Sequence, residues 1–102
     1  MAQILVLYGT PVDPPAFDRY YHATHIPIAA KIPGVRERTI SAGPVQSLAG
    51  GTPPYLVATL EFDSMADLNA GLVSAEGQAA AADVANFATG GATLLMFDKK
   101  VL

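Results

Sequence analysis

Residues Pro15–Val35 read PAFDRYYHATHIPIAAKIPGV, and this stretch decides how the rest of the chain must fold. Phe17, Tyr21, Thr24 and Ile28 step by four, three and four, which places them on one stripe of an amphipathic helix. Tyr20 and Ile32 widen the stripe. Pro14 and Pro15 fit a first turn, where a missing N–H costs nothing, and Asp13 is a candidate cap. Pro33 and Gly34 end the helix. Pro27 lies inside it. Its ring crowds the Ala23 carbonyl, it offers that carbonyl no N–H, and it pushes Ile26 away from helical angles. A kink or break is expected at Ile26 and Pro27, followed by a short turn over 28–32. His25 stands beside the break, four residues after Tyr21, on the flank of the stripe. It reads either as a working residue or as a helix-end histidine that satisfies a freed carbonyl.

Ahead of the helix, Gln3–Tyr8 is a near-continuous apolar run rich in branched residues, expected as a central strand buried on both faces. Behind it, Val35–Ala42 is more polar, carrying Arg36, Glu37 and Arg38, and reads as a strand near an edge. Gly43–Pro54 (GPVQSLAGGTPP) is a loop, read as a plain connector in preference to a lid. Tyr55–Asp63 alternates cleanly, with Leu56, Ala58, Leu60 and Phe62 on one face and Tyr55, Val57, Thr59 and Glu61 on the other. Ser64 starts a second helical region, weakened at Gly71 and Gly77, and Ser74 caps its second segment over 75–88. Gly90-Gly91 stops it before a last strand over 92–101.

The order strand, helix, strand, strand, helix, strand is the ferredoxin-like βαββαβ pattern, an α+β sandwich with a four-stranded antiparallel sheet. With 102 residues the chain makes one domain, 1–102, able to bury about two-thirds of its unfolded surface. Both faces of Tyr55–Asp63 carry bulk, yet helices can cover only one. The composition is 51% hydrophobic and only 15% charged, so a second copy is expected on the other face, burying on the order of 1,600 Å².

Composition also excludes. A net charge of −3 argues against a nucleic-acid partner. No cysteine is present, so disulfides and thiolate metal sites are ruled out. The start, MAQILVLY, lacks the basic region of a signal peptide, and no apolar run spans a bilayer; a cytoplasmic setting without membrane contact is expected. There is no glycine-rich phosphate loop, no paired-carboxylate motif and no nucleophile elbow. His22 and His25 share helical spacing but lack a convincing third ligand. Asp18, four before His22, is read as a surface Asp–His contact, and no metal is expected.

His25-Ile26-Pro27-Ile28, with Phe17 and Tyr21 before it and Lys31-Ile32-Pro33-Gly34 after it, resembles the signature of the EthD family. Asp83-Val84 with Asn86-Phe87, ahead of the last strand, is similar to that family's second conserved stretch, so the resemblance covers most of the chain. It implies a dimeric α+β barrel, formed where two sheets meet, and an association with ether degradation. Haem occurs in the wider barrel group, but this chain has no tryptophan and no histidine in its second helix, and no cofactor is expected. What remains is cofactor-free acid–base chemistry on a small hydrophobic oxygenated metabolite in a degradation pathway, and the resemblance to the barrel group also implies oxygenase-type chemistry. His25 is the candidate acid or base. Tyr21, Tyr55, Glu61 and Arg38 are candidates to orient or polarise the ligand. A non-catalytic binding or accessory protein, with His25 supplying a hydrogen bond, is the alternative.

Overall fold

Four strands, β1 (Ala2–Tyr8), β2 (Val35–Ile40), β3 (Leu56–Phe62) and β4 (Ala92–Asp98), form one antiparallel sheet of order β2-β3-β1-β4 in a computed structural model describing residues 1–102. The helical elements α1 (Pro14–Tyr20), α2 (Ile26–Ala29), α3 (Met65–Val73) and α4 (Ala75–Phe87) complete a ferredoxin-like α+β fold.

Register fixes the two faces. Ile4 pairs with Leu60 and Met96, and Val6 with Ala58 and Leu94. Ala2, Ile4, Val6 and Tyr8 are buried with Ala58 and Phe62 beneath the helices, where Phe17, Leu68 and Phe87 meet them. Each large side chain buried this way contributes roughly 1.5–3 kcal/mol. The alternate residues Gln3, Leu5 and Leu7 are only half-buried. Within one chain, therefore, β1 is enclosed on one face, not on both as its composition suggested. On the uncovered face Leu95 and Phe97 are 47% and 40% exposed.

The expected helix starts hold. Asp13 caps α1 by accepting the Ala16 N–H, Ser64 caps α3 from the Asp67 N–H, and Ser74 caps α4 from the Gly77 N–H. The glycines of this region do more than weaken a helix. A Cβ on Gly77 would lie 2.0 Å from the Gly71 carbonyl oxygen, and one on Gly71 2.9 Å from the Pro33 oxygen. Bare backbone is what lets the α3–α4 corner close.

Two local expectations are corrected. Ile26 is not driven from helical angles; it has φ −56° and ψ −46°, and α2 continues through Pro27. The disturbance lies one turn earlier, as a π turn over Tyr21–His25 in which the Ile26 N–H reaches the Tyr21 carbonyl. A wide turn sets back the carbonyls that the proline ring would otherwise crowd, so the helix bulges where a break was expected. Tyr55 is the second correction. It lies just ahead of β3 and escapes the strand's alternation, turning to the helix side, where its ring meets Phe17 edge-on at 5.3 Å.

Candidate functional site

The π turn brings Tyr21 and His25 to the same side of the helix, ring centroids 5.5 Å apart, and both are buried. Phe87 from α4 packs against the imidazole at 4.6 Å and against the Tyr21 ring at 5.7 Å, so the three rings form one cluster. His25 thus packs against two rings that also touch each other.

Asp83, in α4, lies behind it. His25 Nδ1 is 2.9 Å from Asp83 Oδ2, and both residues are almost wholly buried. The Tyr20 hydroxyl donates to Asp83 Oδ1 at 2.6 Å, and the Asn86 amide donates to the same oxygen at 3.0 Å. Burial works to raise the Asp83 pKa, but the hydrogen bonds from Tyr20, Asn86 and His25 together outweigh it and hold the carboxyl below its ordinary value. The same Tyr20–Asp83 bond, helped by burial, raises the tyrosine's own pKa. An ionised Asp83 can only accept, so in neutral His25 the proton sits on Nδ1. Nε2 then carries the lone pair, and it has no protein hydrogen-bond partner.

His25 lines a cavity of about 290 Å³ between the interrupted helix and the sheet, at the small end of the usual range for ligand sites. Eight of its 12 lining residues are hydrophobic, among them Val6, Ile26, Ala58 and Leu60. Tyr21 and Arg38 also line it. Burial pushes the Tyr21 hydroxyl up to about 12, so it stays neutral through the physiological range.

Tyr55 and Glu61 stand elsewhere. The Tyr55 hydroxyl donates to the Asp18 carboxylate at 3.0 Å. That contact replaces the Asp18–His22 pairing expected from spacing. His22 is exposed, and with Asp18 and Tyr55 it borders a larger but shallower groove of about 570 Å³ beside the loop 43–54. Glu61 lies on the uncovered face of the sheet, paired with Lys99. No three His, Asp or Glu side chains converge in a way that would hold a metal ion.

A family model for the EthD domain matches residues 9–91, a span that contains the His25 cavity and the Asp83 helix. The chain belongs to the EthD family. It is 43% identical to an uncharacterised 11.0 kDa protein of the thcB-thcC intergenic region of Rhodococcus erythropolis, over all of this chain and 98% of that one. Among solved structures, an EthD family protein from Bacillus halodurans superposes with a TM-score of 0.87 at 32% identity, covering 98% of this chain and 99% of that one. A dimeric ferredoxin-like protein of unknown function from Thermobifida fusca reaches 0.67 at 16% identity, over 94% and 88% of the two chains, and so shares the fold.

In this EthD chain the histidine's partners are what residue spacing had left without a role. Asp83 and Asn86 belonged to the second family stretch, and Tyr20 widened an apolar stripe. The available signal was Asp83 itself: an acid in the alanine-rich second half of α4, with Asn86 three residues on and Phe87 four residues on, on the same face.

Proposed function

We propose that this EthD protein binds a small hydrophobic oxygenated metabolite in the His25 cavity and moves a proton on it without a cofactor, as a step in a degradation pathway. The observation that carries the reading is the pairing of His25 Nδ1 with the buried, ionised Asp83. An imidazole oriented in this way offers the Nε2 lone pair to a ligand held against the apolar wall. Nε2 takes a proton from a carbon or oxygen next to the ligand's oxygenated group. The imidazolium that forms is stabilised by the Asp83 carboxylate, and the proton then returns to the ligand. Tyr21 and Phe87 keep the ring from turning away.

The working form in this proposal is a homodimer. Leu95 and Phe97, with half-buried Leu5, Leu7 and Val57, leave an apolar sheet face that a second copy would cover. The related fold from Thermobifida fusca is described as dimeric, which supports the same assembly.

Non-catalytic ligand binding is the second reading. It is favoured by the lining, since eight of 12 residues are hydrophobic and few groups besides His25 could take part in proton transfer. Mass spectrometry of molecules retained by the purified protein supplies the ligand for the deciding test. His25→Ala should leave the dimer intact and abolish turnover, while His22→Ala should change little. A His25→Ala protein that melts lower yet binds and turns over its ligand normally would refute the assignment. Retained binding without turnover, in wild type and variant alike, would support the second reading.

A further inference from the structure

Arg38 is the one permanently charged residue on the wall of the His25 cavity. It has no acidic partner: the carboxylates near other basic groups are Asp83 at His25, Asp63 at Arg36 and Glu61 at Lys99. Its only hydrogen bond to the protein is one Nη1–H to the Ala30 carbonyl at 3.3 Å. That bond tethers the guanidinium over the end of α2 and uses one of its five donors. Strand register sets Arg38 opposite Leu60, on the helix side of the sheet, as Ile40 is set opposite Ala58. The cation therefore overlooks the apolar floor made by Ala58 and Leu60.

No acid lines this cavity. Asp83 lies behind the imidazole with both its oxygens engaged by donors. Thr39 and Thr59 bond to each other. Beside the Tyr8 and Tyr21 hydroxyls and His25 Nε2, the cationic group left to meet a ligand at this rim is a guanidinium fork, whose planar donors match a carboxylate. We propose that the cavity takes an amphiphilic carboxylate, with its apolar body against Ile26, Ala58 and Leu60 and its anionic head on Arg38. This rests on the reading of the cavity as the ligand site, and it narrows the ligand class from any oxygenated hydrophobe to an organic acid. The chain's net charge of −3 gives no general attraction for anions, so the preference must come from Arg38 itself.

The test compares phenylacetate with its neutral, near-isosteric analogue phenylacetamide, in nitrogen-15 NMR titrations of the wild type, Arg38→Met and Arg38→Lys. Arg38 is exposed on an edge strand, and unchanged amide spectra away from it will show that both variants fold. In the wild type, phenylacetate should shift Tyr21, His25 and Ala58 and bind at least about tenfold tighter than the amide. Arg38→Met should erase that advantage, a loss of about ten- to a hundredfold for a charge-assisted contact. Arg38→Lys should restore part of it. If the amide binds in the cavity as well as the acid, or if Arg38→Met keeps the preference, the anion proposal is wrong while the cavity remains the ligand site. If neither probe shifts cavity residues at millimolar concentration, the proposal and the ligand-site reading fall together.

Discussion

His25 and Asp83 are 58 positions apart in sequence, yet their side chains meet at 2.9 Å inside the layer of helices. The pair joins the two halves of the fold, since His25 closes the π turn that follows α1 and Asp83 sits in α4. Removing the charge should therefore be felt in both. Asp83→Asn replaces the two carboxylate acceptors that Tyr20 and His25 use with one weaker amide oxygen, and should cost about 1–3 kcal/mol in urea unfolding at neutral pH.

Acid provides a second view of the same carboxylate. Its folded pKa is held below the ordinary value of 3.8, so its contribution to stability is complete above that value and is lost as pH falls through the depressed folded pKa. Melting temperatures recorded downward from pH 6 should fall more steeply below about pH 4 for the wild type than for Asp83→Asn. Parallel curves would mean that Asp83 is not held below its ordinary pKa in the folded state.

Alkali tests the tyrosine beside the histidine. Burial raises Tyr21 from 10.0 to about 12, so the unfolded chain ionises first. The stability this gives is intact below pH 10 and is lost as pH rises from there toward 12. Absorbance at 295 nm should show late phenolates, since burial also raises Tyr8, and Tyr21→Phe should reduce that late amplitude by one tyrosine.

Gly77→Ala sets helix propensity against packing. Propensity favours alanine by about 1 kcal/mol. The added Cβ would collide with the Gly71 carbonyl, backbone that cannot rotate away. The variant should be less stable by about 1–3 kcal/mol, as for other overpacked sites. Denaturant unfolding with an unchanged slope will measure it.

The uncovered sheet face makes a separate claim. Leu95→Glu with Phe97→Glu places two charges where a second copy is proposed to sit. Sedimentation should show a dimer for the wild type and a monomer for the double variant. A wild-type monomer at micromolar concentration would remove the dimer from the account.

The fold was largely legible in the sequence because its signals are local. Period-two alternation marked β3, and Ser64, Ser74 and Asp13 announced helix starts. Pro27 showed that the first helix is irregular but not how. A proline ring can be accommodated by a break or by a wider turn, and packing of Tyr21 and His25 against Phe87 goes with the second. The site was less legible. Spacing along one helix finds His25, but its partner comes from the other end of the chain, and no periodicity reports a contact 58 residues distant. Tyr55 failed for the opposite reason: alternation was extended one residue past the strand that enforces it.

The central claim is that Asp83 holds the His25 proton on Nδ1 and leaves Nε2 for the ligand. Long-range nitrogen-15 correlation spectra of the histidine rings test it directly, with His25→Gln assigning the signals. Neutral His25 should be in the Nδ1–H form, its Nε2 resonance should shift when a cavity ligand binds, and that tautomer preference should weaken in Asp83→Asn. A His25 protonated on Nε2 in the neutral wild type, or a tautomer indifferent to Asp83→Asn, would contradict it.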